Sequence, residues 1–154
     1  MSDSILLQLF IDDIDAANRL LQSLDEEFQA LEQRDLPRLQ QLLDGKLPLV
    51  QQLERNARLR GDILQQGGLS LDRAGLARLV AQGAASELLE RSDELAARLE
   101  QCQQANLRNG RVIRAGQVST GRLLDILRGQ DTPSLYDRHG GATSGTRQRP
   151  LSQA

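Results

Sequence analysis

Aromatic side chains make up 2% of this chain, two Phe and one Tyr with no Trp, and His and Cys occur once each. A Cys-His nucleophile pair or a zinc site has almost no material, because Cys102 and His139 lie far apart in sequence. The lone Cys makes no intrachain disulfide, which fits a reducing compartment and a cytoplasmic location. No GxxxxGK[ST] or GxGxxG occurs, and "LLDGKLP" has only the Gly-Lys pair of a phosphate loop, so no nucleotide or other cofactor is expected. The opening "MSDSILLQLFIDDIDAANRL" lacks a basic n-region, and acids interrupt its apolar run. It reads as neither a signal peptide nor a membrane span.

A core without aromatics must be built from Leu and Ala at helical spacing, which points to an all-α, coiled-coil-like protein. Apolar residues at Leu7, Phe10, Ile14, Ala17, Leu21, Leu24, Phe28 and Leu31 alternate spacings of three and four, a heptad seam. In "RDLPRLQQLL", Asp35 is a good N-cap and Pro37 suits a first turn, so a second helix begins near Leu36. Its seam reads Leu36, Leu39, Leu43, Lys46, Val50, Leu53, Ala57, Arg60 and Leu64, with two basic residues on it. Gly45 and Pro48 predict a kink there. A short connecting helix over 71–81 is bounded by Gly67, Gly68 and Gly83, and a last long helix runs from the cap Ser86 to Arg128. Its seam reads Leu88, Ser92, Leu95, Leu99, Cys102, Asn106, Asn109, Ile113, Gly116, Thr120, Leu123 and Leu127.

The expected architecture is therefore an elongated antiparallel helical bundle of three long helices (4–33, 36–66 and 86–128) and the connector. The helical domain is 1–128, and the Gly-, Ser- and Arg-rich 129–154 reads as a flexible tail. At about 1.5 Å per residue the long helices span about 44, 48 and 65 Å, so the C-terminal half of the last is expected to overhang.

Charge is unevenly spread beneath a net −2. Residues 1–32 hold eight acids, Asp12 and Asp13 among them, against Arg19 alone; acids this frequent on a helix read as a solvated face rather than as acid-base catalysts. Residues 101–128 reverse the balance, with Arg108, Arg111, Arg114, Arg122 and Arg128 against Asp125. Such a patch could meet phosphates or the acidic helices of the same chain, and overall acidity disfavours nucleic acid. A helix-turn-helix reading of "LARLVAQGAASELLERSDEL" fails because Glu87, Glu90, Asp93 and Glu94 would repel a phosphate backbone.

The segment "NLRNGRVIRAGQVSTGRLLDIL" cannot satisfy itself: Gly110, Gly116 and Gly121 each cost about 1 kcal/mol relative to Ala in a helix. Leu107, Val112, Ile113, Val118, Leu123, Leu124 and Leu127 spread apolar surface over more than one face. A helix of this kind accepts another helix, from a second copy or a client, or is simply the weaker end of a bundle.

The order of features resembles the bacterial flagellar export chaperones of the FlgN family. An acidic Leu-rich helix is followed by "RDLPRLQQLLDGKLPLVQQLE", a linker helix, a long helix bearing "NLRNGRVI", and then "LYDRHGG". The resemblance spans residues 5 to 141 and leaves the basic extension from Gly140 to Ala154 unexplained. It implies a cytoplasmic, non-enzymatic protein that binds hook-filament junction proteins of the FlgK and FlgL types. The implied client contacts are the seven apolar residues just named. It also implies that Tyr136, in "SLYDRHGG", helps dock the chaperone on the export gate protein FlhA. The alternative is a coiled-coil adaptor or dimerisation module without export clients.

Overall fold

The computed structural model describes residues 2–128 and, for Ser119 and Thr120, the backbone alone. Among the described residues there are four α-helices and no strand: α1 Ser2–Gln33, α2 Leu36–Gln66, α3 Arg73–Ala81 and α4 Glu87–Leu127. This is the all-α arrangement of three long helices and one short connector that the periodicity implies. The tail from 129 onward, Tyr136 included, lies outside the described residues. The chain divides into two compact units, Met1–Val112 and a second beginning at Ile113.

Tight caps set the reversals in the first unit. The link between α1 and α2 is two residues long: Arg34 takes the left-handed conformation (φ 56°), and the Asp35 N–H reaches back to the Ala30 carbonyl at 2.9 Å. The Asp35 carboxylate then caps α2 by accepting from the Arg38 N–H at 3.1 Å, with Pro37 in the first turn. α2 ends in the same manner at Gly68 (φ 69°), where the Leu69 N–H bonds the Leu64 carbonyl at 2.9 Å. The α3 start is tighter still. Asp72 caps the Gly75 N–H at 3.0 Å, and a Cβ at Gly75 would lie 1.9 Å from the Ser70 carbonyl oxygen, so only glycine fits.

Helical structure runs unbroken through Gly45 and Pro48, where the sequence predicts a kink. Pro48 offers no N–H to the preceding turn, but Lys46 before it is tied to Glu27, and Leu49 and Leu53 after it pack on the core.

α1 and α2 run antiparallel, since Asp13 meets Asn56 and Arg60 while Glu27 meets Lys46. Within the first unit α4 runs in the same direction as α1: the Cys102 thiol donates to the Ala17 carbonyl at 3.4 Å and Asn109 to that of Leu24 at 2.8 Å. The apolar core lies in two clusters. Leu6, Phe10, Ile14, Leu64, Leu76, Leu88 and Leu95 form one, with the connecting helix over it; Leu20, Leu24, Cys102 and Ala105 form the other.

The α1 stripe is wider than the single seam read from the sequence. Leu6, Asp13, Leu20 and Glu27 are buried together with Phe10, Ile14, Ala17 and Leu24, because α1 faces two long helices rather than one. On α4, Ala105 is buried while Leu99 and Asn106 of the expected seam are exposed.

The expectation that the α1 acids are a solvated face fails at two positions. Asp13 is 0% exposed, accepting from Asn56 Nδ2 at 2.8 Å and from the Arg60 guanidinium, which also lies over the Phe10 ring at 4.8 Å. Glu27 is 4% exposed and accepts from Asn109 Nδ2 at 3.1 Å through one oxygen. Its other oxygen has Lys46 Nζ at 2.8 Å, a charge contact off the hydrogen-bonding direction. The two basic residues on the α2 seam are there to meet these carboxylates.

Two predictions follow from this packing. Asp13→Ala strands a half-buried guanidinium and a buried amide, so it should lower unfolding free energy by about 3 to 5 kcal/mol; a urea titration giving under about 1 kcal/mol would refute the layer's role. The second concerns α3. Asp72 is held below the ordinary aspartate range by the Ser70 hydroxyl and the Gly75 N–H, and Asp93 by its hydrogen bonds with Arg73. Carboxylates depressed in the folded state stabilise above their unfolded pKa and lose that contribution as pH falls through the lowered value. Amide exchange protection in α3, corrected for intrinsic rate, should therefore be flat above about pH 5 and decline below about pH 4. Undiminished protection of α3 at about pH 2 would contradict this assignment.

Candidate functional site

In the first unit α4 packs through Leu88, Leu95, Cys102, Ala105 and Asn109, and its burial ends in a polar layer. Asn109 is 1% exposed, and its amide donates to both the Leu24 carbonyl and Glu27. Beside it Arg108 donates to Asp25 at 3.1 Å and to the Leu24 carbonyl at 3.3 Å, and its guanidinium lies 4.3 Å from the Phe28 ring centroid. That layer pins α4 to α1 by directional bonds rather than by apolar area. About two turns earlier, burial pushes the Cys102 thiol pKa up, with the Asp25 charge adding to it. A thiol so placed is a packing group, not a nucleophile.

Of the seven residues that the sequence nominates, two belong to the first unit. Leu107 is exposed and Val112 half-buried. The second unit, described as far as Arg128, carries the other five on helical backbone: Ile113 is 43% exposed, Val118 54%, Leu123 61%, Leu124 44% and Leu127 81%. Ile126, at 68%, joins them. It is not among the seven residues nominated from the sequence.

These side chains do not share one face. At about 100° per residue, Leu124 lies about 20° from Ile113 on one side, with Leu127 about 40° and Leu123 about 80° on the other. They make one stripe. Val118 falls about 140° from Ile113, and Ile126 about 140° in the opposite sense, both off it. Neither Gly116 nor Gly121 is demanded by packing, since a Cβ at either would meet nothing within 4 Å.

Nothing in the described residues assembles a reaction centre. No group of three or more metal-ligating side chains occurs among them. A polar cleft of about 340 Å³ is lined by Asp12, Asp15, Gln52, Arg55 and Asn56, and an apolar one of about 280 Å³ includes Phe10, Leu64, Leu76 and Leu99. Neither holds a nucleophile beside a base. No helix among the described residues is long and apolar enough to cross a membrane.

An acidic helix locked to a basic seam, a glycine-capped connector and a final helix with bare apolar surface occur here in the order of the family named above. The family described as FlgN protein matches residues 1–144. The chain belongs to the FlgN family. A crystal structure of a flagella synthesis protein FlgN from Pseudomonas aeruginosa is similar to it at 63% identity, with a TM-score of 0.67, covering 80% of this chain and 96% of that one. No curated protein matches. Membership in the FlgN family supports a chaperone role in flagellar synthesis.

The polar layer that ends the α4 seam can be tested by itself. Asn109→Ala removes the amide from the buried Glu27 carboxylate and the Leu24 carbonyl, and should lower stability by about 1 to 3 kcal/mol in chemical denaturation. An unchanged midpoint would show that the layer is dispensable.

Proposed function

We propose that this FlgN-family chain is a cytoplasmic, non-enzymatic export chaperone. It holds the helical ends of hook-filament junction proteins of the FlgK and FlgL types, and delivers them to the flagellar export gate through FlhA. The observation that carries this reading is the exposed stripe of Ile113, Leu123, Leu124 and Leu127 on helical backbone, beyond a seam whose last buried residue is Asn109. Four large aliphatic side chains along one helix face are what a helix-in-groove or helix-on-helix contact buries. Covering them with a client helix would occlude the client's own apolar surface, which prevents premature assembly without any chemical step. Glycines at 110, 116 and 121 weaken the helix by itself, so a client would spend part of its binding energy on ordering it.

Leu107 and Val112, which the family resemblance also nominates, belong to the first unit, and Val118 lies on a different face from the stripe. Tyr136, the proposed gate-docking residue, falls outside the described residues and enters here on the family resemblance alone.

A second reading, the coiled-coil adaptor, draws on α2. Leu36, Leu43, Leu47 and Val50 are 69%, 44%, 58% and 37% exposed and fall within about 60° of one another around that helix. Such a face could pair with a second copy.

One experiment separates the two: light scattering coupled to size exclusion, on the protein alone and with the C-terminal helical segment of a junction protein. The chaperone reading expects a defined complex that survives truncation after Arg128. Leu124→Asp with Leu127→Asp, both exposed and so neutral to folding, should weaken the complex at least about tenfold. Tyr136→Ala should bind client normally but lose FlhA. A dimer indifferent to client, or client binding that survives both aspartates, would overturn the assignment.

A further inference from the structure

We infer that the exposed face of α2 pairs with the same face of a second copy of this chain, antiparallel and with the two-fold axis at Leu43. The inference does not rest on the chaperone reading, because the pairing face lies in the first unit and the proposed client stripe in the second.

The face has the symmetry that such a pair requires. Leu36, Leu39, Leu43, Leu47 and Val50 lie at −7, −4, 0, +4 and +7 residues from Leu43, a spacing that reversal leaves unchanged. At about 100° per residue, Leu36 and Val50 fall about 20° to either side of Leu43, and Leu39 and Leu47 about 40° to either side. A two-fold antiparallel pair sets each residue at the level of its mirror position: Leu36 meets Val50, Leu39 meets Leu47 and Leu43 meets itself. Equal and opposite angles make the facing side chains interleave rather than collide. Leu39 is half-buried and the other four are exposed, so the face is bare in the single chain. A foreign helix has no need of a palindromic spacing. The α4-end stripe lacks it, since Ile113, Leu123, Leu124 and Leu127 are spaced ten, one and three apart.

Charge agrees with this register. Between Leu36 and Val50, Arg38 and Lys46 are held by Glu26 and Glu27 of α1, and Asp44 lies about 100° from Leu43, off the face. The ends carry a complementary pair. Glu54 falls about 20° from Leu43, in line with the leucines, and Arg34 sits in the left-handed link before α2. Both are exposed, and neither forms an ion pair among the described residues. Reversal about Leu43 places Glu54 four residues before Leu36 of the second copy, about 3 Å along the axis from that copy's Arg34. Each copy offers one cation and one anion, so two such pairs close the two ends of the contact. A contact one helix face wide and about 21 Å long is at the small end of specific interfaces, and the dimer is therefore weak and concentration-dependent.

The test is sedimentation of the full chain from about 1 μM to about 1 mM, combined with disulfide trapping. Wild type should pass from monomer to dimer across that range. Under mild oxidation Leu43→Cys should crosslink to itself, and Leu36→Cys should crosslink to Val50→Cys but not to itself; Cys102 is buried and stays out of the reaction. Arg34→Glu and Glu54→Arg should each weaken the dimer about threefold or more, and the two together should restore it. A chain that stays monomeric throughout, or Leu36→Cys crosslinking to itself as a parallel pair demands, would overturn the inference. So would a dimer dissolved by Leu124→Asp with Leu127→Asp, which assigns self-association to the α4 end. Loss of the junction-protein segment on Leu43→Glu would likewise overturn it, giving the α2 face to a client.

Discussion

Two carboxylates carried inward by the first helix set the register of the bundle. Asp13 and Glu27 are fourteen residues apart on α1, and their partners Arg60 and Lys46 are fourteen apart on α2. Two heptads on one antiparallel helix thus match two heptads on the other. Sliding α2 by one heptad would set Asp13 against Leu53 and Glu27 against Leu39, leaving buried charges unpaired at two levels. Leu-rich seams are nearly degenerate under such a slip, because one leucine replaces another. Buried ion pairs add little net stability over apolar packing, but removing one partner is costly, which is the asymmetry a register lock needs.

The same layers bring in the last helix. Glu27 shares its carboxylate between Lys46 of α2 and Asn109 of α4, so one side chain joins all three long helices. Asn109 then doubles the bond at the Leu24 carbonyl, and Cys102 makes a weaker one at Ala17. Where these bonds end, burial of α4 ends too. What lies beyond, from Ile113, is apolar surface on a helix that packing does not finish.

Much of this was legible in the residues. Leu-heptads, Asp35 with Pro37, and the glycines bounding α3 give the helices and their order, because each rests on local backbone chemistry. Lys46 and Arg60 stood out as basic residues on an apolar seam. Their partners did not, since eight acids in the first 32 residues offer no obvious way to single out two. A signal was nevertheless there. Leu6, Asp13, Leu20 and Glu27 recur every seven residues, a column that alternates leucine and acid and cannot be wholly solvated if its leucines are not. The weak heptad of the α4 end was likewise readable, but the division of its apolar residues among different faces needed the helix geometry. An exposed contact surface has no reason to keep seam spacing: Val118, Leu124 and Ile126 are all exposed and all off the seam.

A chaperone must release what it holds, and the composition of the α4 end suits that requirement. A rigid, alanine-rich helix bearing the same leucines would bind more tightly, since nothing would be spent on ordering it. Gly116 and Gly121 are not needed for close approach within the described structure, yet each weakens the helix by about 1 kcal/mol. On the chaperone reading that cost falls on the bound state, where it shortens the complex's lifetime while the leucines remain exposed for encounter. The register lock in the first unit and the weakness of the second are then complementary. A bundle fixed by Asp13 and Glu27 can carry a marginal helix without losing its own fold, and the marginal helix can order and disorder with its client.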